Sequence, residues 1–116
     1  DQVVVTDAKW MEFILDQIIN NSIKYRRETD AMIQISASAE QGKTILSIRD
    51  NGIGIAESDL PRLFEKSFTG SNGRILEVKS TGMGLYIAKN MCDKLGHEIN
   101  VISEEGSYTQ VNITFL

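Results

Sequence analysis

The chain has few of the residues and patterns that mark extracellular or membrane-spanning proteins. It holds a single cysteine, Cys92, which cannot form a disulfide within the chain and falls in an apolar helical pattern. Disulfides are rare in reducing compartments, so we expect a cytosolic setting in which Cys92 is a small core residue. The chain also lacks a signal-peptide pattern and any run near the roughly 20 apolar residues that cross a bilayer. Membrane attachment is therefore expected to come from further sequence.

The charge balance excludes another class, the nonspecific nucleic-acid binders. The chain has 16 acidic and 12 basic residues and a net charge of -4, and its lysines and arginines are scattered among the acids. Without a basic face, binding to a phosphate backbone is not expected. With 116 residues, 41% of them hydrophobic, the chain is long enough for one domain with a core of its own.

Two common nucleotide motifs are also missing, although glycine pairs are present. The sequence has Asp-Asn-Gly-Ile-Gly at residues 50–54 and Ser-Thr-Gly-Met-Gly at residues 80–84. Neither pair is followed by the third glycine of a dinucleotide-binding loop or by the Lys-Ser/Thr of a P-loop, and the Gly-Lys-Thr at residues 42–44 has Ala37 where a P-loop has its first glycine. These features argue against a Rossmann or P-loop enzyme. Glycine pairs still allow a backbone to approach a ligand closely. Together with a polar helix upstream, they predict a bound nucleotide.

Hydrophobic periodicity and turn residues predict an α/β two-layer sandwich. The sheet is expected to be mixed and mostly antiparallel, with helices on one face. The predicted elements, in order, are a strand at residues 3–5, a helix from 8 to about 25 capped by Asp7, strands at 32–39 and 43–49 joined by a turn at Gln41 and Gly42, a short helix at 59–64 capped by Ser58, a helix at 85–95 ended by Gly96, and closing strands at 97–103 and 108–115.

Polar residues lie in the predicted interior of two of these elements. Along the first helix, Gln17 and Asn21 fall within an apolar stripe formed by Trp10, Phe13, Ile14 and Ile18. Asp50 ends a strand with the parity of its apolar residues. Buried amides and carboxylates need partners, so a polar ligand is expected to face them. The pattern-poor stretch at 65–81 is longer than ordinary connections and predicts a functional lid, poorly ordered without ligand.

Four motifs in sequence order resemble the ATP-binding catalytic domain of bacterial sensor histidine kinases, a Bergerat-fold ATPase group shared with gyrase and Hsp90. Residues 17–25 resemble its N box, 50–54 its first glycine box, 64–68 its F box and 82–85 its second glycine box. The resemblance covers essentially the whole chain. Residues 10–17 and 64–70 further resemble those of the Gram-positive intramembrane-sensing kinases. The F box lacks the proline that is common in other histidine kinases, which suits this group.

The resemblance implies a role for each matching residue. Asn21 would bind Mg²⁺, Gln17 would assist the metal or its water, Lys24 would meet phosphate, Tyr25 would pack against adenine, and Asp50 would accept from the adenine amine. Phe64 and Phe68 would anchor the lid. The remaining implied ATP contacts are Gly52, Gly54, Ile55, Thr81, Gly82, Met83, Gly84 and Leu85. Taken alone, four of these residues also have a simple structural interpretation: Asn21 as a solvated amide, Asp50 as a turn-forming residue, and Gly82 and Gly84 as ordinary loop glycines.

The implied activity is that of a donor: the domain binds Mg·ATP and passes the γ-phosphate to a histidine on a separate dimerisation domain. His97 follows a helix end, where the family's acceptor does not lie, and is expected to be structural. The further implied partners are a response regulator and, for the intramembrane-sensing group, a membrane transporter of antimicrobial peptides, which places the domain on the cytoplasmic side of a cell-membrane protein. Two alternatives remain open: a nucleotide-sensing or docking module without phosphotransfer, and an anti-sigma type of protein serine kinase.

Overall fold

A computed structural model describes residues 6–65 and 84–115. The predicted strand at residues 3–5 and most of the predicted lid lie outside these ranges. The described elements are α1 (Ala8–Lys24), β1 (Ile33–Glu40), β2 (Lys43–Asp50), a 3₁₀ helix (Glu57–Arg62), α2 (Gly84–Leu95), β3 (Glu98–Glu104) and β4 (Tyr108–Phe115). The two long predicted helices and the four later strands are confirmed to within about two residues at their ends.

Helix α1 begins as predicted, because Asp7 supplies its N-cap. The Asp7 carboxylate accepts from the backbone N–H of Trp10 at 3.0 Å, which satisfies one of the free donors of the first turn. The buried stripe is rotated from the predicted one. Met11, Ile14, Ile18 and Ser22 are buried, whereas Phe13 is 41% exposed. The prediction for Phe13 was wrong because the helix packs against both the sheet and α2, and the side that faces both starts at position 11.

The four strands form one antiparallel sheet in the order β1-β2-β4-β3. Gln41 and Gly42 both have positive φ, 52° and 78°, as the two-residue turn of the β1–β2 hairpin requires. All pairings among the described strands are antiparallel. The prediction that the sheet also contains a parallel pairing stays a prediction, because the strand predicted at residues 3–5 lies outside the described residues. The register places Ile48 opposite Val111 on β4, which lines up the apolar residues of neighbouring strands on one face.

That face is covered by the helices, which gives the predicted two-layer arrangement. The core is formed by residues of α1, α2 and the inner face of the sheet: Met11, Ile14, Ile18, Ile48, Ala88, Cys92, Ile99, Val111 and Ile113. Helix α2 ends in a Schellman motif, in which the N–H of His97 donates to Cys92 O at 2.9 Å and that of Gly96 to Asp93 O at 3.2 Å. Gly96 has a φ of 80°, as predicted for its place after the helix.

The short helix before the F box differs from the prediction. It is a 3₁₀ helix at Glu57–Arg62 with Ala56 at the N-cap, and no side chain caps it, so the assignment of Ser58 as cap was wrong. The reason lies in Pro61, the fifth residue of the helix, which has no N–H to donate one α-helical turn back. The N–H of Asp59 instead donates to Ala56 O at 2.9 Å and that of Leu63 to Leu60 O, the spacing of a 3₁₀ turn.

Candidate functional site

The centre of the candidate site is Asp50, the last residue of β2. Its side chain is 8% exposed, on the inner face beside Ile48. One carboxylate oxygen, Oδ1, accepts the N–H of Gly52 at 2.9 Å. Within residues 6–65 and 84–115 no donor contacts the second oxygen. A carboxylate with one oxygen fixed in this way can accept a donor from a ligand, and the strand positions it where the sequence predicted.

The loop after Asp50 is fixed to the start of β1 by Asn51. Its side-chain oxygen accepts the N–H of Met32 at 2.8 Å, and its amide nitrogen donates to Asp30 O at 2.8 Å. Its backbone N–H donates to Met32 O at 3.2 Å. From the sequence, Asn51 was identified only as part of the first glycine box. Its structural task is to hold the loop, because both groups of its amide satisfy backbone groups that no strand ladder satisfies.

Gly52 and Gly54 are required by neighbouring backbone. A Cβ at Gly52 would collide with the carbonyl oxygen of Tyr25 and lie 2.9 Å from Asp50 Oδ1. Gly54 has a φ of 73°, and a Cβ there would collide with the carbonyl of Glu104 and lie 2.8 Å from the Cα of Glu105. These contacts give both glycines a role in the fold. The predicted contact of Gly54 with the base remains a prediction.

The second wall of the site is the flank of α1 that carries Gln17 and Asn21, one turn apart. Both side chains are half-buried. In the part of the chain that the structure describes, neither side-chain amide has a hydrogen-bond partner. Gln17 Oε1 lies 3.0 Å from the point where a Cβ on Gly84 would be. The N-terminus of α2 therefore meets this flank, and a helix N-terminus favours anions.

The structure describes five of the remaining predicted site residues and leaves four outside its described ranges. Lys24 is exposed at the end of α1, and Tyr25 is half-buried, with its carbonyl accepting the N–H of Ile53 at 3.1 Å. Ile55 is half-buried and its N–H donates to Ser103 Oγ at 2.8 Å. Phe64 packs against the core, and Leu85 is half-buried in the first turn of α2. Phe68, Thr81, Gly82 and Met83 lie outside the described residues.

A cavity of about 230 Å³ lies on the other flank of α1. Its lining includes Ser22, Ile23, Arg26, Met32, Ile33 and Asp50. Asn21, Lys24 and Tyr25 are not among its lining residues. The cavity therefore shares Asp50 and Gly52 with the predicted nucleotide site but extends away from it, toward β1. It does not correspond to the nucleotide pocket that the sequence predicts.

The nucleophilic and metal-binding side chains of the described residues give no second reactive centre. No group of three His, Cys, Asp or Glu side chains there could hold a metal ion. The pKa of Cys92 is raised to about 11, mainly by burial and further by the Asp93 carboxylate, so its thiol is a poor nucleophile. His97 is 6% exposed, with Nε2 within 2.9 Å of Thr6 Oγ1. Both residues are structural, as predicted.

Two groups of the site were missed by sequence reasoning. Arg27 donates to backbone carbonyls of the loop after β2 and of the β3–β4 turn. Ser103 Oγ receives the N–H of Ile55 and donates to Tyr108 O at 2.6 Å. For Ser103 a signal was available, because it has the parity of the inner residues Ile99 and Val101 near the end of its strand, as Asp50 has on β2. Arg27 stands in a polar loop without any such pattern.

Comparison with known proteins agrees with this geometry. Residues 6–116 match the family model described as histidine kinase-, DNA gyrase B-, and HSP90-like ATPase. The chain is 35% identical over its whole length to the sensor histidine kinase YxdK of Bacillus subtilis, covering 35% of that protein. It is 41% identical over 97% of its length to the sensor protein BceS of Halalkalibacterium halodurans, covering 33% of it. The chain thus spans about a third of the length of these curated relatives.

A solved structure shows the same fold. The mycobacterial sensor histidine kinase MprB superposes with a TM-score of 0.84 at 21% identity, over 97% of this chain and 75% of that one.

Among the described helices, none is long and apolar enough to cross a membrane.

Proposed function

Because the chain belongs to the family of histidine kinase-, DNA gyrase B-, and HSP90-like ATPases, we propose that it binds Mg·ATP between α1 and the start of α2. We further propose that it donates the γ-phosphate to a histidine on another domain of the same sensor kinase. The observation that carries the proposal is Asp50, which is 8% exposed, with one carboxylate oxygen held by Gly52 and the other without a donor among the described residues.

At the adenine end, Asp50 acts as the acceptor for the exocyclic amine. Its Oδ1 is fixed by the N–H of Gly52, so the direction of the second oxygen is set before the nucleotide arrives. A charged acceptor in a buried place makes a stronger hydrogen bond than a neutral one. Tyr25 and Ile55, both half-buried, supply apolar surface for the base. This arrangement selects the base by hydrogen bonding and packing.

At the phosphate end, the chemistry of the donor set fits Mg²⁺. Asn21 and Gln17 present half-buried amide oxygens without protein partners in the described ranges, and Mg²⁺ prefers oxygen ligands, mostly water and phosphate with few from the protein. When bound, the metal would neutralise phosphate charge. Lys24 adds a positive charge from the end of α1, and the N-terminus of α2 adds its dipole. Phosphoryl transfer asks mainly for such positioning and neutralisation.

The acceptor of the phosphate lies elsewhere. His97 is 94% buried, its ring lies edge-on to that of Phe115, and its Nε2 is within hydrogen-bond distance of Thr6 Oγ1, so its imidazole is closed off from a phosphate in the folded chain. We therefore assign the chain the donor role and place the acceptor histidine on a dimerisation domain in the rest of the protein. The response regulator, the transporter and the membrane location belong to that whole protein and are proposed with it, on the strength of the sensor-kinase relatives.

Nucleotide titration of an Asp50→Asn variant tests the adenine assignment. We expect ATP affinity in the presence of Mg²⁺ to fall by about tenfold or more, because the amide replaces a charged acceptor and turns a donor toward the amine. Asp16→Asn is the matched control, since Asp16 is exposed on α1 and its loss of charge should leave affinity unchanged. Equal affinities for Asp50→Asn and the original chain would contradict the assignment.

A further inference from the structure

The guanidinium of Arg27 joins two loops that are distant in the sequence. Arg27 follows the C-cap of α1, and its Nε donates to the carbonyl of Asn51. Its Nη2 donates to Gly106 O at 2.8 Å and contacts Ser107 O at 3.4 Å. The planar arginine fork holds several donors in one plane, which a lysine ammonium on its flexible stem does not provide.

The two loops joined by Arg27 meet next to Asp50. The N–H of Gly106 donates to Ile53 O at 2.6 Å, so the β3–β4 turn contacts the loop at residues 50–54 directly. On the opposite side, the N–H of Ile53 donates to Tyr25 O at 3.1 Å. Arg27 bonds the carbonyls of Asn51 and Gly106, which flank this junction. The loop that carries Asp50 and Gly52 is thereby held between α1 and the turn.

We propose that Arg27 is a positioning residue that sets the affinity for adenine by fixing the loop at residues 50–54. The proposal rests on the function proposed above, in which Asp50 receives the adenine amine. With Arg27 in place, the Asp50–Gly52 turn is held in one position relative to Tyr25 and Ile55. Without it, the carbonyls of Asn51 and Gly106 bond to water, and the ordering of the loop is left to the binding step, which weakens binding.

Arg27 has a small role in the stability of the fold. Its side chain is exposed and belongs to no part of the core. The backbone bonds between Ile53, Tyr25 and Gly106 and the bond of Gly52 to Asp50 do not depend on it. Surface substitutions of this kind change the free energy of unfolding little. Ligand affinity and thermal stability are therefore expected to respond differently to its removal.

The test compares Arg27→Ala and Arg27→Lys by calorimetric titration with ATP and with ADP, both with Mg²⁺, and by thermal melting without ligand. We expect Arg27→Ala to bind ATP and ADP about three- to tenfold more weakly, by the same factor for both, because they share the base. The melting temperature should stay close to that of the original chain. Arg27→Lys should recover little of the loss, because the single nitrogen of an ammonium on a flexible stem does not reproduce the separate, coplanar Nε and Nη2 donors that bond the two loops.

Arg26→Ala is the matched control. Arg26 is the neighbouring arginine, exposed, and its Nη1 donates to Ile23 O of its own helix at 2.8 Å; its removal should leave both affinities unchanged. Full recovery in Arg27→Lys, or a larger loss for ATP than for ADP, would mean that Arg27 acts as a charge on the phosphates, and it would overturn the proposal. Unchanged affinity in Arg27→Ala would overturn it as well. If the original chain binds neither nucleotide, the proposed function fails first.

Discussion

At the scale of single residues, burial decides which reactive side chains are available. Cys92 is fully buried between α1, α2 and the sheet, where no water solvates a thiolate. The pKa of its thiol is therefore raised from 9.0 to about 11, with burial as the main cause, the Asp93 carboxylate adding to it and Lys89 opposing it. The folded chain holds Cys92 as a neutral thiol at ordinary pH, in contrast to reactive cysteines, which lie in exposed, electropositive places.

This shift predicts a pH dependence of stability. Because the pKa of the folded state is above that of the unfolded chain, the buried thiol contributes its full stabilisation below about pH 9 and loses it as pH rises through about 11. We expect the free energy of unfolding to fall by on the order of 2 kcal/mol more in this window for the original chain than for Cys92→Ala. Denaturant titrations of both proteins from pH 8 to about 11 measure it. Parallel curves would show that the thiol titrates alike in both states.

Some residues of the site could be predicted from the sequence, and others could not. Asp50 was predictable, because strand parity places it inside and a buried carboxylate needs a donor. The tight fit of Gly52 and Gly54 against Tyr25 and Glu104 was not predictable, since these carbonyls approach only through the folding of distant segments. Arg27 was missed for the same reason. Its partners follow it by 24 and 79 residues, and no local pattern announces them.

At the scale of elements, α1 combines two tasks on adjacent flanks. One side packs Met11, Ile14 and Ile18 into the core, and the next carries Gln17 and Asn21 toward the start of α2. The helix ends were predictable from Asp7 and from the polar loop that follows. The exact side of α1 that faces the core was not predictable. When an apolar stripe is broad, the 3.6-residue period fixes its centre only to within about one residue. Packing against α2 decided it.

The contact between α1 and α2 predicts a separation of stability from function in Gly84→Ala. The new Cβ would lie 3.0 Å from Gln17 Oε1, closer than an ordinary contact, so the Gln17 amide must shift by a few tenths of an ångström. Gly84 is the first residue of α2, where glycine has little of the cost it has in a helix interior, so the melting temperature should change little. ATP affinity with Mg²⁺ should fall about fivefold, with a smaller change when the metal is chelated, as also expected for Asn21→Ala.

Asn90→Ala controls for helix propensity, since Asn90 is exposed on α2 and is not among the neighbours of the Gly84 position. It should change neither the affinity nor its metal dependence. A Gly84→Ala variant whose Mg²⁺-dependent affinity equals that of Asn90→Ala would show that Gln17 takes no part in the phosphate end of the site.

At the scale of the whole molecule, the sheet supports the site at one end and its apolar face supports the helices. Sequence periodicity predicted the four described strands and both hairpins, because turns such as Gln41-Gly42 and alternating residues are local signals. The order β1-β2-β4-β3 is a long-range property that these local signals did not predict. This order brings the end of β2, which carries Asp50, beside the β3–β4 turn, which braces the following loop. The site thus depends on the topology of the entire sheet.

The proposed division between a donor domain and an acceptor histidine on another domain predicts the outcome of a labelling experiment. His97 is buried and bonded to Thr6, so the chain incubated alone with γ-labelled ATP and Mg²⁺ should gain no phosphohistidine. Mixed with the dimerisation domain of its own protein, it should label that domain, and Asp50→Asn should reduce the labelling. Label on His97 would contradict the donor role, and labelling of neither partner would favour a nucleotide-sensing module.

Because the phosphate must reach an external imidazole in line with the leaving ADP, its path has to stay open on one side. Hydrolysis by the chain alone is then expected to be slow, since no described side chain of the site is placed to activate water.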